Sequence, residues 1–117
     1  MSIAERFEKV SDAVDYAPHA VFEGVFLKHL VTGEMTSGRI SSNLVKVEPF
    51  CSLDEHTHEA QTEIHEVIQG AGECLVAGKR MAYLPGTVAV IPQNTPHSVT
   101  AGASGLYLLA KFSPSLL

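Results

Sequence analysis

Glycine and proline punctuate this chain so closely that mostly short extended segments fit between them. Gly70 and Gly72 separate EIHEVIQ from ECLVA, Gly78 with Lys79 reads as the tip of a hairpin joining CLVA to RMAYL, Pro85 and Gly86 turn the chain before TVAVI, and Pro92 to Pro96 form a loop. Upstream, Val21–Val31 is β-branched and aromatic, and Thr32–Gly38 is a turn cluster. Arg39–Glu48 alternates, with Val45 and Val47 on one face and Lys46 and Glu48 on the other. His97–Ala101 and Leu106–Phe112 supply the last strands. Many short strands at close spacing specify an all-β sandwich or closed barrel, and the lack of a long helical pattern after any strand argues against a βαβ architecture. One short helix is expected, at the start: Ser2 followed by Glu5 fits a capping box, Phe7 and Val10 make a small apolar face, and Pro18 ends the segment.

A length of 117 residues is that of one domain. The expected division is an N-terminal arm over 1–18 and a barrel over 20–113, large enough to fold without a disulfide or metal staple. Thirteen acidic residues against eight basic ones give a net charge of -5, which argues against nucleic acid as a partner and against an anionic membrane surface. No apolar run approaches the ~18 residues of a membrane span. The opening MSIAERFEKV lacks the basic start and apolar stretch of an export signal. Cys51 and Cys74, distant in sequence, read as reduced thiols, so the expected compartment is the cytoplasm.

The chemistry concentrates in four residues: His56, His58, Glu63 and His97. In an extended segment His56 and His58 point to the same side. Glu63 follows after a turn's length of chain and adds a carboxylate oxygen, and His97 brings a third imidazole from a distant segment. Three neutral nitrogens and one oxygen suit a divalent Fe, Mn, Zn, Ni or Cu ion without choosing among them. A six-coordinate ion would keep two positions for water, oxygen or substrate.

Together these residues resemble the motifs of the cupin superfamily. His56-Thr57-His58, Glu63 and Gly70 are similar to its first motif, and Gly86, Pro92 and His97 to its second, over about Pro49 to Ala101. The resemblance implies a small jelly-roll barrel (a double-stranded β-helix), often dimeric, with metal ligands at His56, His58, Glu63 and His97. Three positions depart from the pattern: Phe50 and Asn94 stand where glycine is usual, and Ala101 where asparagine is frequent. Asn94 tolerates the left-handed conformation better than most residues.

Other residues admit two readings. His65 shares strand parity with Glu63, and is either a hydrogen-bond donor or general base beside the metal, or a packed pocket wall. Glu66 is a second candidate for moving a proton. Tyr107, on one strand face with Leu109 and Lys111, either lines the pocket and donates to a bound anion or is a core tyrosine. His19 and His29 have no partner pattern and read as ordinary strand or loop residues. Val45, Val47, Val67 and Val99 are candidates for a dry pocket wall, which favours a small substrate. The apolar strand LYLLAKF is a candidate subunit contact in a homodimer. The implied function is a small-molecule metalloenzyme of dioxygenase, isomerase or lyase (decarboxylase) type; the alternative is a non-catalytic module that binds or senses a small ligand or metal.

Overall fold

A computed structural model describes residues 1–117, the side chain of Val10 excepted. In chain order the elements are α1 (Ile3–Val10), β1 (Ala17–Pro18), β2 (Val25–Val31), a single 3-10 turn (Gly33–Thr36), β3 (Ser41–Val47), β4 (Ser52–His56), β5 (Thr62–Val76), β6 (Lys79–Tyr83), β7 (Val88–Ile91) and β8 (His97–Ser113). The architecture is the expected all-β jelly roll with a short N-terminal helix. The antiparallel sheet runs β1-β2-β3-β8-β5-β6, with β4 on the free side of β8 and β7 on that of β5. Its ends are not joined by a ladder, so the barrel is an open sheet folded over on itself rather than a closed cylinder. The edges are short strands, which offer little ladder to close.

Two long strands organise this fold, where shorter ones were expected. Gly70 and Gly72 do not interrupt β5; they bend it. The register of β5 on β8 shifts between Val67 and Gln69 and again between Gly70 and Gly72. Extra residues of this kind kink a strand and increase its twist without ending it. The first half of β5 pairs with β7 and with the end of β8, while its second half pairs with β6 and the start of β8. β8 likewise runs unbroken from His97 through Ser113. The bend demands glycine, because a Cβ on Gly70 would lie 2.1 Å from the Gly105 carbonyl oxygen and one on Gly72 2.3 Å from that of Thr100.

Local chemistry accounts for the remaining elements. Ser2 accepts from the Glu5 N–H at 3.1 Å and the Glu5 carboxylate accepts from the Ser2 N–H, completing the expected capping box. The helix docks through Ala4, which is buried, while Phe7 remains exposed; the Val10 half of the expected apolar face lies outside the described residues. The hairpin tip is Ala77-Gly78, one residue earlier than expected, and both residues have positive φ as a two-residue turn between right-twisted strands requires. Val21 to Gly24 form a turn ahead of β2 rather than its beginning. Asn94 is left-handed, and so is Phe50, an exposed aromatic at φ 62°.

The inward positions of β2, β3, β5 and β8 build one core that includes Val25, Val45, Val47, Val67, Leu106 and Leu108. Tyr107 and Lys111 take the opposite face of β8 from Leu106, Leu108, Ala110 and Phe112. β8 is flanked by β3 and β4 on one side and by β5 on the other. It is therefore interior to the sheet and offers no edge for a subunit contact. The exposed apolar side chains of an edge strand are instead Val88 and Val90 of β7. No helix among the described residues is long and apolar enough to cross a membrane.

Candidate metal centre

The four expected ligands converge from three places in the fold. His56 closes β4, His58 lies in the loop just after it, Glu63 is the second residue of β5, and His97 opens β8. Cross-strand pairing aligns His56 with His97, and their ring centroids are 4.2 Å apart. One donor atom from each of the four residues lies within 4.8 Å of all the others. Donors at ~2.1 Å from a common ion are separated by about 3–4.2 Å, so a small contraction suffices to coordinate one.

The proton positions on the rings decide what the cluster is ready to bind. A carbonyl oxygen only accepts, so the contact of His56 Nδ1 with the Asp54 oxygen at 2.7 Å and that of His97 Nδ1 with the Thr95 oxygen at 2.9 Å both place the ring proton on Nδ1. Each Nε2 of the neutral rings then carries a lone pair. His97 Nε2 lies 3.1 Å from Glu63 Oε1, yet both atoms are buried without a hydrogen-bond partner. Two lone pairs that face each other at this distance repel unless a cation or a proton stands between them. The residues present therefore fit a divalent ion, and the group can hold one.

Electrostatics agree with that geometry. Burial alone would raise the Glu63 carboxyl, but the hydrogen bond from His65, together with the proton and charge that His97 brings when its Nε2 is protonated, outweighs it and holds the group down at about 2. Burial lowers His56 and His58 below the ordinary histidine value, which keeps them neutral and available. Burial also opposes the charge on His97, but the Glu63 carboxylate beside it, with the Thr95 carbonyl, raises that ring overall.

His65 is not one of the four. Its Nε2–H donates to Glu63 Oε2 at 2.6 Å, and its Nδ1 accepts from the Tyr83 hydroxyl at 2.8 Å. Both nitrogens are engaged and the residue is buried, so the structure places His65 as a support that turns the other Glu63 oxygen toward the histidines. Tyr83, fully buried on β6, was missed in the sequence; an inward-parity tyrosine needs a partner for its hydroxyl, and that was the available signal.

The structure does not bring Glu66 and Tyr107 to this site, which corrects both expectations. Strand alternation puts them on the outer face, where Glu66 accepts from Lys111 Nζ and Tyr107 lies under the Lys46 ammonium. What opens beside the four candidate ligands is a cavity of about 300 Å³. Val45, Leu53, Val99 and Leu108 line it, whereas Val47 and Val67 belong to the core behind. His19 and His29, read as ordinary residues, are also in its wall.

A jelly roll that draws three histidines and a carboxylate to one interior point defines a class of β-barrel proteins able to hold a metal. The family described as Cupin domain matches residues 43–108, more than half of the chain, and the chain belongs to it. No curated protein matches the sequence. Among solved structures, KdgF from a Halomonas species is similar at 25% identity, with 88% of each chain covered and a TM-score of 0.77. A protein described as a predicted oxalate decarboxylase from Thermotoga maritima shares 24% identity over 89% of this chain and 96% of its own, with a TM-score of 0.82. Ectoine synthase from P. lautus shares 20% over 80% and 66%, with a TM-score of 0.71. At these identities the last two likenesses show the fold alone.

Proposed function

We propose that this cupin is a small-molecule metalloenzyme that holds one divalent transition metal ion on His56, His58, Glu63 and His97 and works on a small, largely apolar substrate. The observation that carries this reading is the buried pair of Glu63 Oε1 and His97 Nε2, 3.1 Å apart and within reach of His56 and His58, which requires a cation or a proton between its two atoms. When bound, the ion supplies Lewis-acid chemistry, or oxygen activation if it is redox-active, which spans the dioxygenase, isomerase and lyase (decarboxylase) types. The protein's own part is to orient and to exclude water. His65 holds the Glu63 carboxylate, the Asp54 and Thr95 carbonyls fix two imidazole tautomers, and the apolar cavity wall keeps the reacting end of the substrate dry.

A second reading, a non-catalytic binding or sensing module, is favoured by one observation: both nitrogens of His65 are occupied and Glu66 points away, so neither is free to move a substrate proton. Untagged protein loaded with Fe(II) and separately with Zn(II), incubated with a panel of diketones, thiols and hydroxy acids, separates the two. Product formation or oxygen consumption supports the enzyme; metal uptake with a flat panel supports the binding module. Metal uptake should rise with pH. Proton and ion compete for the same imidazole nitrogens, and His97 must give up the proton that Glu63 stabilises. Occupancy in a chelating buffer is expected to fall below about pH 5–6, and metal retained at pH 4 contradicts histidine ligation.

We further read residues 1–117 as one domain that acts in the cytoplasm as a homodimer. Two free cysteines and the exposed Val88 and Val90 of an edge strand support this. Light scattering tests the dimer.

A further inference from the structure

A second polar cluster lies in the same cavity and takes no part in the metal site. His29 on β2 and Asn43 on β3 face each other across the antiparallel register. Their side chains meet at 2.7 Å, His29 Nδ1–H donating to Asn43 Oδ1. That bond leaves two positions over: the amide nitrogen of Asn43, which is donor only, and Nε2 of His29, which accepts in the Nδ1–H tautomer. Neither has a hydrogen-bond partner among the described residues. Asn43 is nevertheless only 4% exposed, and both residues line the cavity. The Asn43 amide nitrogen is not one of the fully enclosed unpartnered atoms; it opens on the cavity, where a ligand or water can accept from it.

The register fixes where this pair sits relative to the metal ligands. Asn43 pairs with Ala110, and Ala110 with His65. Two inter-strand spacings of ~4.8 Å, with β8 between, therefore separate the backbone of Asn43 from that of His65, which supports Glu63, by about 10 Å across the sheet. Between the two polar ends the wall is apolar, with Val45, Leu108 and Ala110 among its residues.

The geometry points to a far subsite: His29 and Asn43 recognise a neutral hydroxyl at the end of a short-chain ligand whose other end presents a carboxylate or keto oxygen to the metal. This rests on the metal reading above and specifies its substrate class. A hydroxyl accepts from the Asn43 amide and donates to His29 Nε2, so it satisfies both leftover positions at once. A carboxylate accepts from Asn43 alone and sets its second oxygen against the His29 lone pair. Neither Lys nor Arg lines the cavity to balance such a charge. The class is thus a short-chain ω-hydroxylated acid or oxo-acid.

The test titrates the full chain with Ni(II) and then with three probes: 6-hydroxyhexanoate, hexanoate and adipate. Uptake of one Ni(II) per chain is read first; no uptake overturns the metal reading and this inference with it. With the ion bound, 6-hydroxyhexanoate is expected to bind about tenfold tighter than either of the others. Asn43→Leu, close to the same shape, and His29→Phe on the neighbouring strand should each reduce that advantage to less than twofold while Ni(II) uptake stays at one per chain. Equal affinities, no binding of any probe, or an advantage that survives both substitutions overturns the subsite and leaves the metal centre standing. The comparison of probes on the unsubstituted protein is decisive even if a variant fails to fold.

Discussion

The two faces of the long strands treat their polar side chains differently. On the outer face charges meet partners. Lys28, buried, donates to the carbonyls of Glu8 and Ser11 at the end of α1, Lys46 lies over the rings of Tyr16 and Tyr107, and Lys111 pairs with Glu66. Among the described residues, the Tyr16 hydroxyl is the one buried polar side-chain atom there without a partner. On the inner face the same strands carry Glu63, Asn43 and His29, joined by His97; there both atoms of the central pair are enclosed without a partner, and the amide nitrogen of Asn43 opens unpaired on the cavity. Charge alone does not distinguish a site from a scaffold, since both faces have it. Polar atoms that converge, deep and incomplete, do.

Substitutions can break or sharpen this contrast. His58→Ala removes a ligand and should lower metal affinity by a hundredfold or more with the barrel intact, measured by competitive chelation alongside circular dichroism. Metal retained at full stoichiometry would remove His58 from the ligand set. His65→Leu acts one step back, by freeing the Glu63 carboxylate, and is expected to weaken metal binding ten- to a hundredfold. Outer-face changes should do the reverse. Lys28→Met removes the donor to the Glu8 and Ser11 carbonyls at the end of α1 and should cost about 1–2 kcal/mol in urea unfolding, with metal affinity unchanged within twofold. The smallest effect is expected from Phe50→Gly. An exposed aromatic in the left-handed region is strained, and glycine there should raise stability by about 0.5–1 kcal/mol. A loss of stability would mean that Phe50 packs more than its exposure implies.

Much of this was legible in the sequence, for identifiable reasons. The strands and the converging His56, His58, Glu63 and His97 follow from short-range spacing and from motifs with a mechanism behind them. Alternation also placed His65 inward, and the structure finds it beside Glu63. The same alternation turns Glu66 outward; proximity to a ligand along the chain is not proximity in a strand. The pairing of His29 with Asn43 could not be read, because fourteen residues and a turn separate them and only the β2–β3 register brings them together. Asn43 did leave one trace, a polar residue at the parity of Val45 and Val47 on a face otherwise apolar. Gly70 and Gly72 were read as breaks because glycine marks both ends and bends, and which of the two is decided by contacts across the sheet rather than along the chain.

Those two glycines set a condition on the whole molecule. β5 leads back from the bend to Glu63, and β8 begins at His97, so the strands pressed together at Gly70 and Gly72 are the ones that deliver the facing carboxylate and imidazole. One added methyl at either position would wedge apart a seam whose far ends must hold alignment to a few tenths of an ångström. The convergence of donors at this cavity is thus guarded at a distance by the smallest side chain there is.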